Sequence, residues 1–462
     1  MAKVNTYDMT EGNPITLLLK FSLPMLIGNI FQQFYNMVDS IIVGQFVGAN
    51  ALAAVGATGA INFLFFSLAF GLSAGIGIII SQYFGAKDEK KVKKSIATSV
   101  YIIMGSAIIM GVLMITSARL VMQLLNTPNE IINDCVVYMR VTGIGMIAVG
   151  AYNGVAAILR ALGDAKTPLI FLIVACFVNI IFDLLFVISF KWGVFGVALA
   201  TVIAQCVSAI GCIIYAWKKM PIFHMPIREY VMDREIFRKS IKVGIPVALQ
   251  NALIALSCVV LQSVVNSFGP TIVAAFTVAS RFEQLVHQPF NSLGAALGTY
   301  TGQNMGANNI KRIKKGFWAG TKIAVIFSLI MLPIACFGGE AIMSLFTTDE
   351  AVIIEGAKGI RVTCFFYSGL GMIYITRSVL NGAGDVKFAM ISGCVEVICR
   401  VGLARPLTFI PAIGMMSIWY TTGLTWLFTA IVSCIRYAHG KWKSKGIIQD
   451  SIKYSKDIIN EI

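Results

Sequence analysis

Residues 168–190 read PLIFLIVACFVNIIFDLLFVISF. As an α-helix at 1.5 Å per residue, this stretch covers roughly 34 Å, enough to cross the ~30 Å hydrocarbon core of a bilayer. Only Asn179 and Asp183 break its apolar interior. They are four residues apart, so one helix face carries both. An ionisable carboxylate at membrane depth is costly, and by default it marks an ion or substrate pathway. A second carboxylate, Asp39, stands alone in the first apolar block of the chain. The reading predicts that Asp39 and Asp183 meet.

The rest of the sequence has the same character. Of 462 residues, 57% are hydrophobic and 13% charged, and the mean hydropathy is +0.80. A soluble chain carries closer to a quarter charged residues. Twelve apolar blocks fall at about 17–44, 51–82, 92–117, 133–161, 168–190, 193–217, 242–267, 271–302, 314–338, 354–381, 388–410 and 412–438. The chain therefore reads as an all-α polytopic membrane protein. The net charge of +15 sits in alternate short loops, among them KDEKKVKK (87–94), the 218–242 stretch and 311–315. That is the positive-inside pattern of a multi-pass protein, not a nucleic-acid surface. It puts both termini in the cytoplasm of a cell whose plasma membrane the chain spans. No cleaved signal peptide is evident at the N-terminus. The ten cysteines form no CxxC pair and read as buried free thiols.

The chain also repeats itself. LPMLIGN (23–29) aligns with IPVALQN (245–251), SQYFGAKDEKKVKK (81–94) with GQNMGANNIKRIKK (302–315), and LRALGDAK (159–166) with LNGAGDVK (380–387). The offset is 221 or 222 throughout, so nearly the whole of each half corresponds. An even number of spans per half means that both halves enter the membrane in the same sense. Two parallel six-helix bundles with a central cleft are expected. The expected divisions are a first lobe at 1–217, a cytoplasmic linker at 218–241, a second lobe at 242–440 and a cytoplasmic tail at 441–462.

These motifs carry a resemblance. Two six-span halves, FQQFYNMVDSIIVG (31–44), and the paired SQ/GQ-x2-GA and LGD/GAGD loops resemble the multidrug and toxic compound extrusion (MATE) family over essentially the full length. Within it, the chain is similar to the DNA-damage-inducible-protein and staphylococcal multidrug export branches. The resemblance implies a V-shaped exporter of organic cations coupled to protons or sodium. It also implies that Asp39, Asn179, Asp183 and Thr201 form a cation site in the first lobe.

Depth supports that grouping from the residues alone. Counted from the outer end of each span, Asp39 lies roughly 8 Å deep, Asp183 roughly 10 Å and Thr201 roughly 12 Å. Two close carboxylates in a poorly hydrated pocket share a proton and titrate as a unit. With the Asn179 carbonyl and the Thr201 hydroxyl, the same oxygens suit sodium, so proton and sodium are alternative occupants. Asn179 and Thr201 also suit interhelical hydrogen bonding. At the equivalent positions of the second half stand Leu261, Arg400, Ala404 and Thr422. The scaffold is duplicated and the acidic site is not.

Gln32, Tyr35 and Asn36 flank Asp39 at helical spacings and are candidate substrate contacts, with Asn153 a further one. Glu283 either contacts a cationic substrate or pairs with a neighbouring helix. Glu396 and Arg400, four apart, suit a structural ion pair, and His287 suits helix packing. Pro24 removes a helix hydrogen bond and gives the first span a bend point. The 20 methionines and 30 phenylalanines suit an adaptable pocket for flat cations.

The leading function is a secondary active multidrug antiporter working by alternating access, with small organic cations and membrane lipid as partners and no cofactor beyond the coupling ion. A lipid-linked or polysaccharide flippase of the same superfamily is the alternative. An enzyme or a channel fits less well: no nucleophile elbow, metal pattern or nucleotide loop is present. GLSAGIG (71–77) falls within a span, where small residues let helices approach. Oligomeric state and substrate list are not encoded legibly.

Overall fold

The computed structural model describes residues 7–447, so most of the basic tail, 448–462, lies outside the described residues. Among the described residues thirteen α-helices occur: α1 (Pro14–Ile42), α2 (Ala49–Gly85), α3 (Glu89–Leu124), α4 (Asn129–Ala161), α5 (Lys166–Leu184), α6 (Gly193–Lys219), α7 (Arg234–Asn266), α8 (Pro270–Gly306), α9 (Ile310–Ser344), α10 (Glu350–Thr363), α11 (Tyr367–Ala383), α12 (Val386–Ala404) and α13 (Ser417–His439). No strand occurs among the described residues. α10 and α11 together occupy the block expected as one span, so the twelve expected spans are all helical. Their interruption at Cys364–Phe366 has no counterpart in α4, which occupies the equivalent place in the first half. Side chains at the break bond back to the preceding turn, as Thr142 also does within the unbroken α4. The Thr363 hydroxyl and the Cys364 thiol both donate to carbonyls three residues back, at 3.3 and 3.1 Å.

Among the described residues, nine helical segments are long and apolar enough to cross a membrane by length and composition alone. The segments missing from that set are α8, the broken α10–α11 pair and α12, all in the second half. α12 holds Lys387, Glu396 and Arg400 within 19 residues. The second half is therefore the more polar one inside the membrane.

The duplication extends to the backbone. Gly48 and Gly269, Lys87 and Asn308, Gly163 and Gly384, and Gly193 and Gly414 are pairs offset by 221 residues, and all eight have positive φ. Lys87 and Asn308 precede equivalent caps. Asp88 accepts a hydrogen bond from the Lys91 amide at the start of α3, and Asn309 accepts one from the Arg312 amide at the start of α9. Each cap satisfies an amide that the first helical turn would otherwise leave without an acceptor.

By their contacts the residues fall into two units. The first holds Leu23–Ala248 with the described residues up to Asp8, and the second holds Met9–Ser22 with the described residues from Leu249 onward. The 218–241 stretch packs with the first unit. α1 changes unit between Ser22 and Leu23, next to Pro24, and α7 changes between Ala248 and Leu249, next to Pro246. In the first unit α4 is central, packing on α2, α3 and α6, while α5 lies on α6. In the second, α11 packs on α8, α9 and α13.

Gly71 and Gly75, from the glycine-rich stretch of α2, face the first part of α7. A Cβ at Gly75 would stand 2.7 Å from the Gly244 backbone, and one at Gly71 would stand 2.5 Å from Ala248. These small residues let the two backbones touch. Gly75→Ala should therefore lower thermal stability by about 1–3 kcal/mol through overpacking, while Gly105→Ala, where nothing lies within 4 Å, should not. Melting of the two detergent-solubilised variants checks this.

Candidate functional site

Asp39 on α1 and Asp183 on α5 are brought together, with their carboxyl groups within hydrogen-bonding range of each other. Asp39 is 8% exposed and Asp183 fully buried. A hydrogen bond between two carboxyl groups requires a proton on one of them, and two bare carboxylates at that range repel strongly. Asp39 Oδ1 is buried and has no hydrogen-bond partner among the described residues. Asn179, one turn before Asp183 on α5, is fully buried.

Hydroxyl groups complete the surroundings. Thr201 on α6 donates to the Val197 carbonyl at 3.1 Å and shares a hydrogen bond with the Tyr35 hydroxyl on α1. Tyr35 and Tyr138 both lie close enough to feel the charges of Asp39 and Asp183. Tyr138 comes from α4 and is not evident from sequence. A tyrosine in the apolar run VVYMR carries no spacing signal that sets it apart from core packing. Four helices, α1, α4, α5 and α6, thus supply one polar cluster.

The same helices also contribute apolar side chains to a neighbouring buried group. Ile42, Val43, Ala51, Tyr138, Val187, Val194, Val197 and Ala198 form one buried group, with Val38, Val47 and Val55 against it. Both acidic helices also lose α-helical regularity just past their carboxylates, passing into π-helical turns at Val43–Val47 and Leu185–Ser189. Such turns are frequent at functional sites. In this surrounding, electrostatic interactions are stronger than in water and an unmatched charge is costly.

The other proposed contacts separate. Gln32 and Tyr35 are half-buried and Asn36 is exposed. Asn153 is fifteen residues from Tyr138 along α4, roughly 22 Å, and its amide donates to Val149 of its own helix at 2.8 Å. It lies apart from the acidic cluster. Glu283 belongs to the second unit and lies beside the Thr363 hydroxyl, and its Oε1 is buried with no hydrogen-bond partner among the described residues.

The profile of the MatE family matches residues 24–185 and 246–405, one match in each half. The chain belongs to the MatE family. Among curated relatives, "Probable multidrug resistance protein YpnP" of Bacillus subtilis is 28% identical over 444 residues, covering 96% of this chain and 98% of that one. "Multidrug export protein MepA" of Staphylococcus aureus is 23% identical over 426 residues, covering 90% of each. Among solved structures, a MOP superfamily transporter from Pyrococcus furiosus aligns with a TM-score of 0.87 at 24% identity over 95% of this chain and 98% of the other. An outward-facing multidrug resistance MATE family transporter aligns with the same score over 94% and 98%. These likenesses fix the fold.

The second half of this MatE chain places different chemistry at the equivalent positions. Leu261 and Ala404, the counterparts of Asp39 and Asp183, share one apolar cluster with Val265, Ile272, Ile418 and Trp419. Arg400, the counterpart of Asn179, pairs with Glu396 at 3.3 Å and donates to the Ser257 hydroxyl. The expected pair is in fact a triad. Arg377 on α11 reaches the other Glu396 oxygen at 3.2 Å, a partner that helical spacing within α12 cannot reveal. His287 packs among Tyr374 and Trp426, with Tyr374 at 3.4 Å from Nδ1.

The triad suggests a structural role with a measurable signature. Arg400→Ala leaves Glu396 with Arg377, so it should reduce stability by about 2 kcal/mol and not more. Transport per folded molecule should change less than twofold for Glu396→Gln. Size-exclusion yield combined with efflux at matched expression separates the two effects, and a well-folded, inactive Glu396→Gln would move ion coupling into the second half.

Proposed function

We propose that this MatE protein is a multidrug exporter that drives organic cations outward by antiport against protons or sodium. The observation that carries the reading is the Asp39–Asp183 carboxyl contact at two buried positions. Such a pair has to hold a proton or a monovalent cation, and whichever it holds changes the local charge by one. Thr201 and Asn179 provide the neutral oxygens that a bare cation needs. Sodium and protons here are transported species, so the site must load and release them.

Antiport then follows from competition. A cationic compound and the coupling ion both seek the negative charge of the pair, and a ligand shifts a conformational equilibrium only through its different affinities for the two states. Relatives named as multidrug resistance and export proteins support the substrate class. In this reading the basic loops face the cytoplasm of the cell, as do both termini.

Uptake of a fluorescent organic cation into inverted vesicles, under separately imposed proton and sodium gradients, tests the proposal. One of the two gradients should drive uptake. Uptake indifferent to both removes the coupling, and transport of lipid-linked sugars without cation transport would favour a flippase.

A further inference from the structure

A second polar site lies outside the spans. A cavity of about 740 Å³ opens where the first turns of α3 meet the 225–233 stretch. Its charged lining is balanced, with Lys90, Lys93 and Lys94 against Glu89, Glu229 and Asp233. Lys94 and Asp233 are already committed to each other at 3.3 Å. The Asp233 carboxylate also accepts the Glu235 and Ile236 amides at the start of α7. Two ammonium groups and two carboxylates remain around the cavity with no ion pair among the described residues.

The remaining lining is apolar. Met225, Val231 and Met232 face the same space, and Val231 is 64% exposed. The 225–233 stretch is held against α3 by the Tyr101 hydroxyl, which donates to the Tyr230 carbonyl at 2.6 Å, and by the Asp233 amide, which donates to the Thr98 hydroxyl at 3.0 Å. Val100 and Tyr101 then begin an exposed apolar face on α3, of the kind that acyl chains cover in a membrane. The cavity lies at the basic end of the α3 span, about six residues before that exposed apolar face begins, a depth that corresponds to the headgroup region if the face spans the hydrocarbon.

We propose that this cavity binds one phospholipid whose headgroup carries both charges, a phosphate and a primary ammonium. Lys90 and Lys93 take the phosphate, Glu89 and Glu229 take the ammonium, and the methionine and valine side chains cover the glycerol region. An anionic headgroup without an amine satisfies the lysines and leaves both glutamates facing a phosphate. A trimethylammonium headgroup has the charge but no N–H to donate, so it forfeits the charge-assisted hydrogen bonds that make such a contact strong. This inference rests on the membrane fold and not on the export reading.

The test is native mass spectrometry of the full-length protein in detergent, titrated with dioctanoyl phosphatidylethanolamine, phosphatidylcholine and phosphatidylglycerol, and with soluble O-phosphoethanolamine. Phosphatidylethanolamine should bind about tenfold more tightly than the other three, the scale of one to two charge-assisted hydrogen bonds. Glu229→Gln should abolish that preference while leaving phosphatidylglycerol binding unchanged or stronger. Lys93→Gln should weaken every phospholipid. Glu229 is exposed and Lys93 half-buried, both outside the apolar core of the spans, so the variants are expected to fold. Equal binding of the three lipids, or an ethanolamine preference that survives Glu229→Gln, overturns the proposal. Soluble phosphoethanolamine binding as tightly as the lipid also overturns it, in favour of a water-soluble ligand.

Discussion

Asp183→Asn is expected to abolish ion-coupled export, by about a hundredfold or more, while leaving the protein inserted and folded. The carboxyl and the amide have nearly the same shape, and a neutral amide suits a buried position at least as well as a charge does. What the amide cannot do is alternate between a charged and a protonated form, and loss of such a group removes 10²–10⁴ in rate as an order of magnitude. Asp39→Asn should behave alike. Because the two carboxyls touch, the double variant should be little worse than either single one, as expected of residues that act as a unit. The measurement is gradient-driven dye efflux at matched expression, with folding checked by size exclusion. Normal efflux by Asp183→Asn would end the coupling assignment, and additive losses would mean two separate sites.

The legible part of this molecule is the part set by period and length. Spans 20 to 30 residues long, the alternation of basic loops and the 221-residue offset all follow from the bilayer and from duplication, and they are read without any tertiary contact. The Asp39–Asp183 contact is also legible, because carboxylates inside a membrane are so costly that two at one depth are seldom unrelated. The same offset identifies Leu261 and Ala404 as apolar counterparts, and they occupy one cluster.

Much of what escapes the sequence depends on packing between helices. Tyr138 becomes part of the acidic cluster only because α4 packs on α6, and its type is ordinary for a core. Arg377 lies on α11, 19 residues before Glu396, so no helical rule joins them. The break at Cys364–Phe366 is not registered by hydropathy, and the equivalent stretch of α4 runs through unbroken. Asn153 shows the converse: a polar residue late in a span invites a place in the site, and its own helix holds it roughly 22 Å away.

Pro24→Ala is expected to leave ion and drug binding intact while turnover falls by up to about a hundredfold. Pro24 lies within the continuous helix α1, just past the point at which that helix leaves one packing unit for the other. Proline there lacks the amide that would bond the previous turn, and its ring crowds the carbonyl of Lys20, together disfavouring a straight helix by ~3 kcal/mol. Alanine restores the bond. If most of that energy separates a bent from a straight α1, the bent population drops by about two orders of magnitude, and a cycle that visits both forms slows accordingly. Asp39 lies fifteen residues further along the same helix, so occupancy of the acidic pair has a mechanical route to the bend. Spin labels at the outer ends of α1 and α7, measured with and without the coupling ion, read the response directly. In Pro24→Ala the distance distribution should stop responding while equilibrium binding of a cationic dye persists. A variant that keeps both the wild-type distance response and wild-type export would reduce Pro24 to a packing feature, and occupancy would then have to act through α5 or α6, the other helices that carry the site.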